Sequence, residues 1–343
     1  MAVDMSRLTE VLTRYRELGI AEQLDYEKLY LYSIITHSTA IEGSTVTEIE
    51  NQLLFDEGIS PNRPIAEVRM SLNLKQAYER GLQAARAHEE ITVALLCELS
   101  ALVMKDTGSE YSTLSGSFSS ASGDLRLINV SAGRGGKSYL AWQKVPSRLQ
   151  AFCSWLNAHR GEVNPEDMDA VYDLSFQAHL RLVTIHPWAD GNGRMSRLLM
   201  NMIQTEFGMV PGIVKKESRT AYITSLADAR DQDDEEIFLR FMREHFIRNI
   251  EEQITDYLSS QDDTLKAEND TLNDTLNLTE KEQAVLNMLR RNGHLTITGM
   301  MAESGFSRPT VTRALKCLQE AGLLKRAGSK KSGHWEAAGG DRT

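Results

Sequence analysis

Between His186 and Arg197 the chain sets a titratable base, a hard oxygen acid, two glycines and two guanidinium groups within twelve residues. His186 can take up a proton near neutral pH. Asp190 is an oxygen ligand of the kind that Mg2+ uses when it bridges a protein to a polyphosphate. The run Gly191-Asn192-Gly193 offers backbone amides with no side chain beside two of them, and at a helix start such amides cradle an anion at the positive end of the dipole. Arg194 and Arg197, three apart, lie on neighbouring parts of one helix face and can hold further phosphates. Each residue alone also has a purely structural reading. A His suits a helix end, Pro commonly follows one, and Asp-Gly-Asn-Gly is ordinary turn chemistry. Their joint occurrence favours chemistry on a bound phosphate.

The flanking sequence supplies the elements that must position these groups. Apolar residues at helical spacing lead in from Pro165 through Met168, Val171, Leu174, Ala178 and Leu182, and a second stripe leaves at Met195, Leu198, Leu199, Met202 and Ile203. Pro187 disfavours helical geometry at His186, and Asp190 is a good N-cap type for the second helix. The reading is a helix, a tight loop that delivers His186, and a buried helix.

The run His186-Pro187-Trp188-Ala189-Asp190-Gly191-Asn192-Gly193-Arg194-Met195-Ser196-Arg197 resembles the H-x-F-x-[D/E]-G-N-G-R-x-x-R signature of the Fic (filamentation induced by cAMP) family. That family transfers AMP from ATP to a hydroxyl side chain of a target protein. The resemblance implies His186 as the catalytic base, Asp190 as the Mg2+ ligand, and Gly191, Asn192, Gly193, Arg194, Met195, Ser196 and Arg197 as the ATP-binding residues, with Arg197 on the γ-phosphate. Trp188 stands where the family usually has Phe, a departure that bears on loop packing or target docking. Ser38-Thr39-Ala40-Ile41-Glu42-Gly43 resembles the [S/T]-x-x-x-E-[G/N] inhibitory motif of the same family, placed N-terminal to the core. It implies an inhibitory pair, Ser38 and Glu42, with Glu42 occupying Arg197. Two rival functions stay open: removal of AMP, for which relatives use the same acid, and a DNA-binding regulator whose nucleotide site only senses ligand.

Around this centre, amphipathic helices are expected at Met5 to Leu18, Leu24 to Ala40, Ile65 to Arg86, Ile91 to Lys105, Val145 to His159, Ser218 to Arg230 and Glu235 to Leu258, and Thr47 with Glu50 forms a capping-box pattern. Gly108 to Ser138 is rich in Gly and Ser. Leu125 to Val130 and Ser138 to Trp142 flank Gly133-Arg134-Gly135-Gly136 and are expected to pair as a hairpin. The reading from the residues is a loop with a hairpin; the resemblance makes it a flap that grips the target by strand addition. The resemblance also puts Tyr222 near the adenine, whereas the residues alone read as a buried tyrosine without a catalytic role.

Charge divides the chain. Eleven Lys or Arg oppose six Asp or Glu from Asn277 onward, a balance of +5, within a net charge of −10 for 343 residues. This module opens with a second capping box, Thr279 and Glu282. It then carries Arg308, Thr310, Thr312, Arg313 and Lys316 on one helix, and Lys325, Arg326, Lys330 and Lys331 around Gly328. The pattern resembles a winged helix-turn-helix whose basic side chains contact DNA phosphates; such folds also serve as dimerisation or peptide-binding modules. The polar stretch before it, with Leu258, Leu265 and Leu272 seven apart, reads as a linker or short helical seam. The expected organisation is mainly α: N-terminal helices including the inhibitory one (1–100), a Fic-type helical core with a β-hairpin flap (101–255), a linker (256–278) and a winged helix-turn-helix (279–337). Three scattered cysteines, no apolar run of membrane-spanning length and no signal-peptide core at the start lead to an expectation of a cytoplasmic protein without a membrane partner. The expected partners are a target protein bearing a hydroxyl, DNA, and, since similar proteins often dimerise, a second copy.

Overall fold

Hydrophobic periodicity and end signals translate directly into helices. The computed structural model describes residues 5–132, 137–276, 278–327 and 334–337. They form two compact units, Met1–Thr255 and Asp256–Thr343. In the first, α1 (Met5–Glu17), α2 (Tyr26–Ile41) and α3 (Glu48–Asp56) precede the long α4 (Ile65–Arg86) and the apolar α5 (Val93–Met104). The capping box expected at Thr47 and Glu50 opens α3. A short hairpin comes next, β1 (Glu110–Thr113) pairing antiparallel with β2 (Gly116–Ser119), and then α6 (Val145–Glu162), α7 (Met168–Ile185), α8 (Asn192–Glu206), α9 (Arg219–Gln232) and α10 (Glu235–Leu276).

The core is built around α8. Its side chains are buried from Arg194 through Gln204, as in a helix enclosed on all sides. Met195, Leu198, Leu199 and Met202 meet Leu74, Ala77 and Tyr78 of α4, Leu99 and Val103 of α5, and Leu174, Ala178 and Leu182 of α7 in one apolar cluster, which Ile34 and Ile35 of α2 join. Some polar groups buried with them pair inside the core: Tyr78 donates to Asn201 Oδ1 at 2.7 Å, and Gln204 Nε2 donates to Ser175 Oγ at 2.9 Å. The helix that begins at Gly191-Asn192-Gly193 is therefore buried over most of its length.

Two expectations need correction, and a third is narrowed to one of its alternatives. Among the described residues, 125–132 and 137–142 pair only over a short antiparallel contact, in which Ser131 bridges Ser138, Tyr139 N donates to Val130 O at 2.9 Å and Ala132 N to Lys137 O at 3.1 Å, and Trp142 begins a turn of 3-10 helix. The reason is that Arg126 donates to the carbonyls of Ile128 and Leu140 at 2.7 and 2.6 Å, so acceptors that a ladder would use go to a guanidinium. The expected turn Gly133 to Gly136 lies outside the described residues. Second, Asp190 is not the N-cap of α8: Gly191, at φ 82°, takes that position without a side-chain cap. Third, the stretch read as a linker is helical, because α10 runs on to Leu276; the side chains of the seam residues Leu265 and Leu272 lie outside the described residues.

In the second unit, α11 (Glu280–Arg291), α12 (Ile297–Ser304) and α13 (Arg308–Glu320) are followed by a hairpin of β3 (Leu324–Ala327) and β4 (His334–Ala337). The Thr279–Glu282 capping box starts α11, and Gly305 at φ 72° makes the turn into α13. Val285, Leu286, Leu289, Met300, Val311, Leu315 and Leu318 form its core. Arg308, Thr312, Arg313 and Lys316 are on the exposed face of α13. Gly328, Lys330 and Lys331, expected in the wing, lie outside the described residues.

Candidate active site

His186 is the C-cap of α7, in the left-handed region at φ 52°, with its amide still bonded to Leu182 O at 3.1 Å. Its Nδ1 lies 3.2 Å from Val183 O. A carbonyl only accepts, so Nδ1 carries the proton and Nε2 keeps its lone pair. Burial lowers the pKa of the ring to about 4, against the pull of the Val183 carbonyl, which keeps the imidazole neutral and ready to accept. The Tyr139 ring stacks on it with centroids 3.8 Å apart, and the Arg230 guanidinium sits 5.1 Å from the Tyr139 ring. From below, the buried Arg126 donates Nε to His186 O at 2.7 Å, the third carbonyl on its fork. His186 is thus fixed by its own turn, by a ring and by a guanidinium.

The loop to α8 is closed reciprocally. Trp188 N donates to Asn192 Oδ1 at 3.1 Å, and Asn192 Nδ2 donates back to Trp188 O at 2.9 Å. Trp188 is fully buried and its Nε1 donates to Gly123 O at 3.1 Å, so the Trp-for-Phe departure serves loop packing. A Cβ on Gly191 would lie 2.8 Å from Met104 Sδ, and one on Gly193 would lie 2.6 Å from Glu42 Oε1. Both glycines are needed for close approach, the second directly beneath a carboxylate. Asp190 is 62% exposed; its Oδ1 accepts from Gly191 N at 2.6 Å and stands 3.7 Å from Arg194 Nη2. Among the described residues no group of three His, Cys, Asp or Glu side chains gathers to hold a metal. A lone carboxylate suits only an ion that completes its shell with phosphate oxygens and water, as Mg2+ does.

The two arginines differ. Arg194 is buried and meets only Met104 Sδ at 3.1 Å and Asp190, while its Nε and Nη1 have no hydrogen-bond partner. Two orphaned donors on a buried cation beside a bare glycine amide fit an incoming phosphate. Arg197, also buried, is fully engaged: Nε donates to Ser38 Oγ at 2.8 Å, Nη2 to Ser38 O at 3.0 Å and to Glu42 Oε1 at 2.6 Å, and Nη1 to Tyr222 Oη at 3.3 Å. Burial pushes the Glu42 pKa up, and Arg197 more than reverses this, so the carboxyl stays ionised below its usual range. The contact is to one carboxylate oxygen, with Ser38 taking the rest of the fork.

His186, Gly193, Arg197, Glu42, Tyr139 and Tyr222 line one cavity of about 210 Å³, whereas Asp190, Gly191, Asn192 and Arg194 do not line it. Met195 and Ser196 do not belong to it. Both are fully buried in the core of α8, so among the expected ATP residues their side chains face away from the site. Asn192 likewise acts through the loop. Sequence reasoning missed Arg126, Tyr139, Arg230 and His179, and gave Tyr222 no contact to Arg197. The only signal for Arg126 was a cation inside an apolar alternating run.

Comparison with known proteins places this geometry. Residues 90–204 match the Fic/DOC family and residues 276–333 the MarR family. The protein adenylyltransferase fic-1 of Caenorhabditis elegans is 27% identical over 246 residues, 70% of this chain and 44% of that protein. The protein adenylyltransferase Fic of Drosophila erecta is 30% identical over 220 residues, 58% of this chain and 37% of that one. The chain thus spans less than half the length of these curated relatives. A crystal structure of a Fic family protein from Desulfovibrio desulfuricans G20 covers 98% of this chain and 95% of its own, with a TM-score of 0.58 and 20% identity. C. elegans Fic-1 (residues 134–508) covers 75% and 72%, with a TM-score of 0.58 and 24% identity. At these identities the structures establish the fold. The chain thus has a region similar to the Fic/DOC family and, after it, a region similar to the MarR family.

Proposed function

We propose that the chain is a protein adenylyltransferase that moves AMP from ATP to a Ser, Thr or Tyr hydroxyl of a target protein and is held in check by the end of its own α2. The observation that carries this reading is the convergence, on one cavity, of a neutral His186 with Nε2 free, the side-chain-free Gly193 and the buried Arg197 with Glu42 upon it, at the start of α8 where Gly191 and the buried Arg194 also lie. His186 Nε2 takes the proton of the target hydroxyl as its oxygen attacks the α-phosphorus. The new O–P bond forms as the bond to the β-phosphate oxygen breaks, and pyrophosphate leaves. The amides at Gly191 and Gly193 and the free donors of Arg194 hold phosphate oxygens, and Arg197 holds the γ-phosphate. Positioning and charge stabilisation supply most of the rate. Asp190 would hold Mg2+, which would supply charge neutralisation at the phosphates. With Glu42 on Arg197, ATP enters only in a geometry unsuited to in-line attack. The similarity to adenylyltransferases from two animals supports the assignment.

For the second unit the reading is DNA binding through α13, supported by the exposed Arg308, Arg313 and Lys316 and the match to the MarR family. Among the described residues no helix is long and apolar enough to cross a membrane.

The test is tagged ATP with the wild type and Glu42→Gly. A covalent AMP adduct on protein, stronger in the variant, supports the transferase. Reversible nucleotide binding without an adduct supports a sensor, and release of AMP from modified protein supports the reverse activity.

A further inference from the structure

Two buried residues take no part in the transfer step, yet touch the groups that do. Tyr222 on α9 is 1% exposed and His179 on α7 is 0% exposed. The Tyr222 hydroxyl lies 3.3 Å from Arg197 Nη1 and 2.8 Å from His179 Nε2. A guanidinium only donates, so the phenol oxygen accepts from Arg197 and its own proton points to the imidazole. His179 must then present a bare Nε2. It is held neutral, since burial and the Arg197 charge lower its pKa to about 3. Phe238, stacked on the His179 ring at 5.1 Å, fixes the imidazole plane. The Arg197 bond has one direction only; the bond from the phenol to His179 goes with the Nδ1–H form of the ring, whose Nδ1 has no hydrogen-bond partner among the described residues.

The other contacts of Arg197 all come from one place. Ser38 Oγ, Ser38 O and Glu42 Oε1 belong to the inhibitory end of α2, and Tyr222 alone approaches from α9. We propose that Tyr222, oriented by His179, is a positioning residue that keeps Arg197 aimed at the γ-phosphate when Glu42 lets go. The inference rests on the reading that Arg197 clamps the γ-phosphate. Without the phenol, Nη1 would have only the cavity to face, and the freed guanidinium could follow Glu42 or turn toward Ser38. With it, the fork is held from behind while its front exchanges a carboxylate for a phosphate. The consequence is specific: loss of the Tyr222 hydroxyl weakens binding of a nucleotide that has a γ-phosphate and spares one that lacks it.

The experiment compares ATP and ADP binding by calorimetry, with Mg2+, in the full-length Glu42→Gly protein and in the same protein carrying Tyr222→Phe. The expected result is a loss of about tenfold in ATP affinity, the worth of one hydrogen bond to a charged group, with ADP changed less than about twofold. His179→Leu, which leaves the hydroxyl but takes its acceptor, is the independent arm, and should give a smaller loss confined to ATP. Equal losses for ATP and ADP would mean a structural tyrosine and overturn the proposal, as would no loss for either. If Glu42→Gly itself bound ATP no better than ADP, the clamp reading of Arg197 would fall and the proposal with it. A Glu42→Gly protein that discriminates, beside a double variant that discriminates equally, would remove Tyr222 alone.

Discussion

Replacing Glu42 by glycine removes a charge-assisted hydrogen bond of 2.6 Å from a buried arginine while leaving that arginine two neutral acceptors, Ser38 and Tyr222. A hydrogen bond to a charged group contributes about 1.5–3 kcal/mol, and since the Glu42 side chain is 32% exposed, about 2 kcal/mol is the appropriate figure. For a unit of this size that lowers the melting temperature by about 4–8 °C. ATP should reverse the loss. At a concentration of about 100 times its Kd for the variant, it contributes about 2.7 kcal/mol. Binding with the γ-phosphate on Arg197 requires the wild type first to give up the Glu42 contact, which weakens that productive mode about thirtyfold, so through it the same ATP stabilises the wild type by only about 0.9 kcal/mol. Differential scanning calorimetry of both proteins, with and without ATP and Mg2+, measures all four states. Melting of Glu42→Gly together with the wild type, or an equal rise in both melting temperatures on adding ATP, would refute this, because either result would mean that Glu42 and the γ-phosphate do not compete for Arg197.

Three further outcomes are expected. His186→Ala should cost AMP transfer about 100-fold or more in the Glu42→Gly background while ATP affinity, measured by calorimetry, stays within about twofold; a collapse of affinity would make His186 a structural residue. His179 and His245 are buried with pKa values lowered to about 3 and about 4, so below about pH 6.5 the unfolded chain binds protons that the folded one refuses. Stability is therefore intact above about 6.5 and is lost as pH falls toward 4, by up to about 1.4 kcal/mol per pH unit for each ring; urea titrations at a series of pH values check this, and a flat profile would contradict it. Arg313→Ala with Lys316→Ala should weaken duplex DNA binding by the second unit and reduce the slope of log affinity against log salt by about 1.8; binding indifferent to salt would speak for a protein-contact module.

How far the sequence was legible depends on the range of each interaction. Helix limits came through because periodicity and caps are local: α4 was readable from Ile65 to Arg86, and both capping boxes lie within four residues. The approach of Glu42 to Arg197, 155 residues apart, was reached only through the resemblance. Arg126 was opaque because its acceptors sit 2, 14 and 60 residues away and are all backbone carbonyls, which carry no sequence signal. Contiguity says little about side chains at Met195 and Ser196: successive residues on a helix step around its axis, so a run beginning at Gly191 turns some of its side chains into the core, where these two lie. Asp190 was misplaced because its carboxylate bonds the adjacent amide, one residue short of where an N-cap reaches. The β1–β2 hairpin was missed because Glu110–Thr113 and Gly116–Ser119 are short and largely polar, with no alternation to read.

The way α2 ends has a consequence for the kinetics of release. Ile41 is 2% exposed, its carbonyl accepts from Arg219 Nε at 2.7 Å, and Ile34 and Ile35 are locked in the core, so the backbone carrying Glu42 is anchored on both sides of Ser38. Letting go of Arg197 is then a rotation about side-chain bonds, not a fraying of the helix or a swing of a segment. Rotamer exchange takes place on nanosecond scales, far faster than one turnover. ATP added to the resting protein should meet an equilibrium already established, and progress curves for AMP transfer should start without a lag.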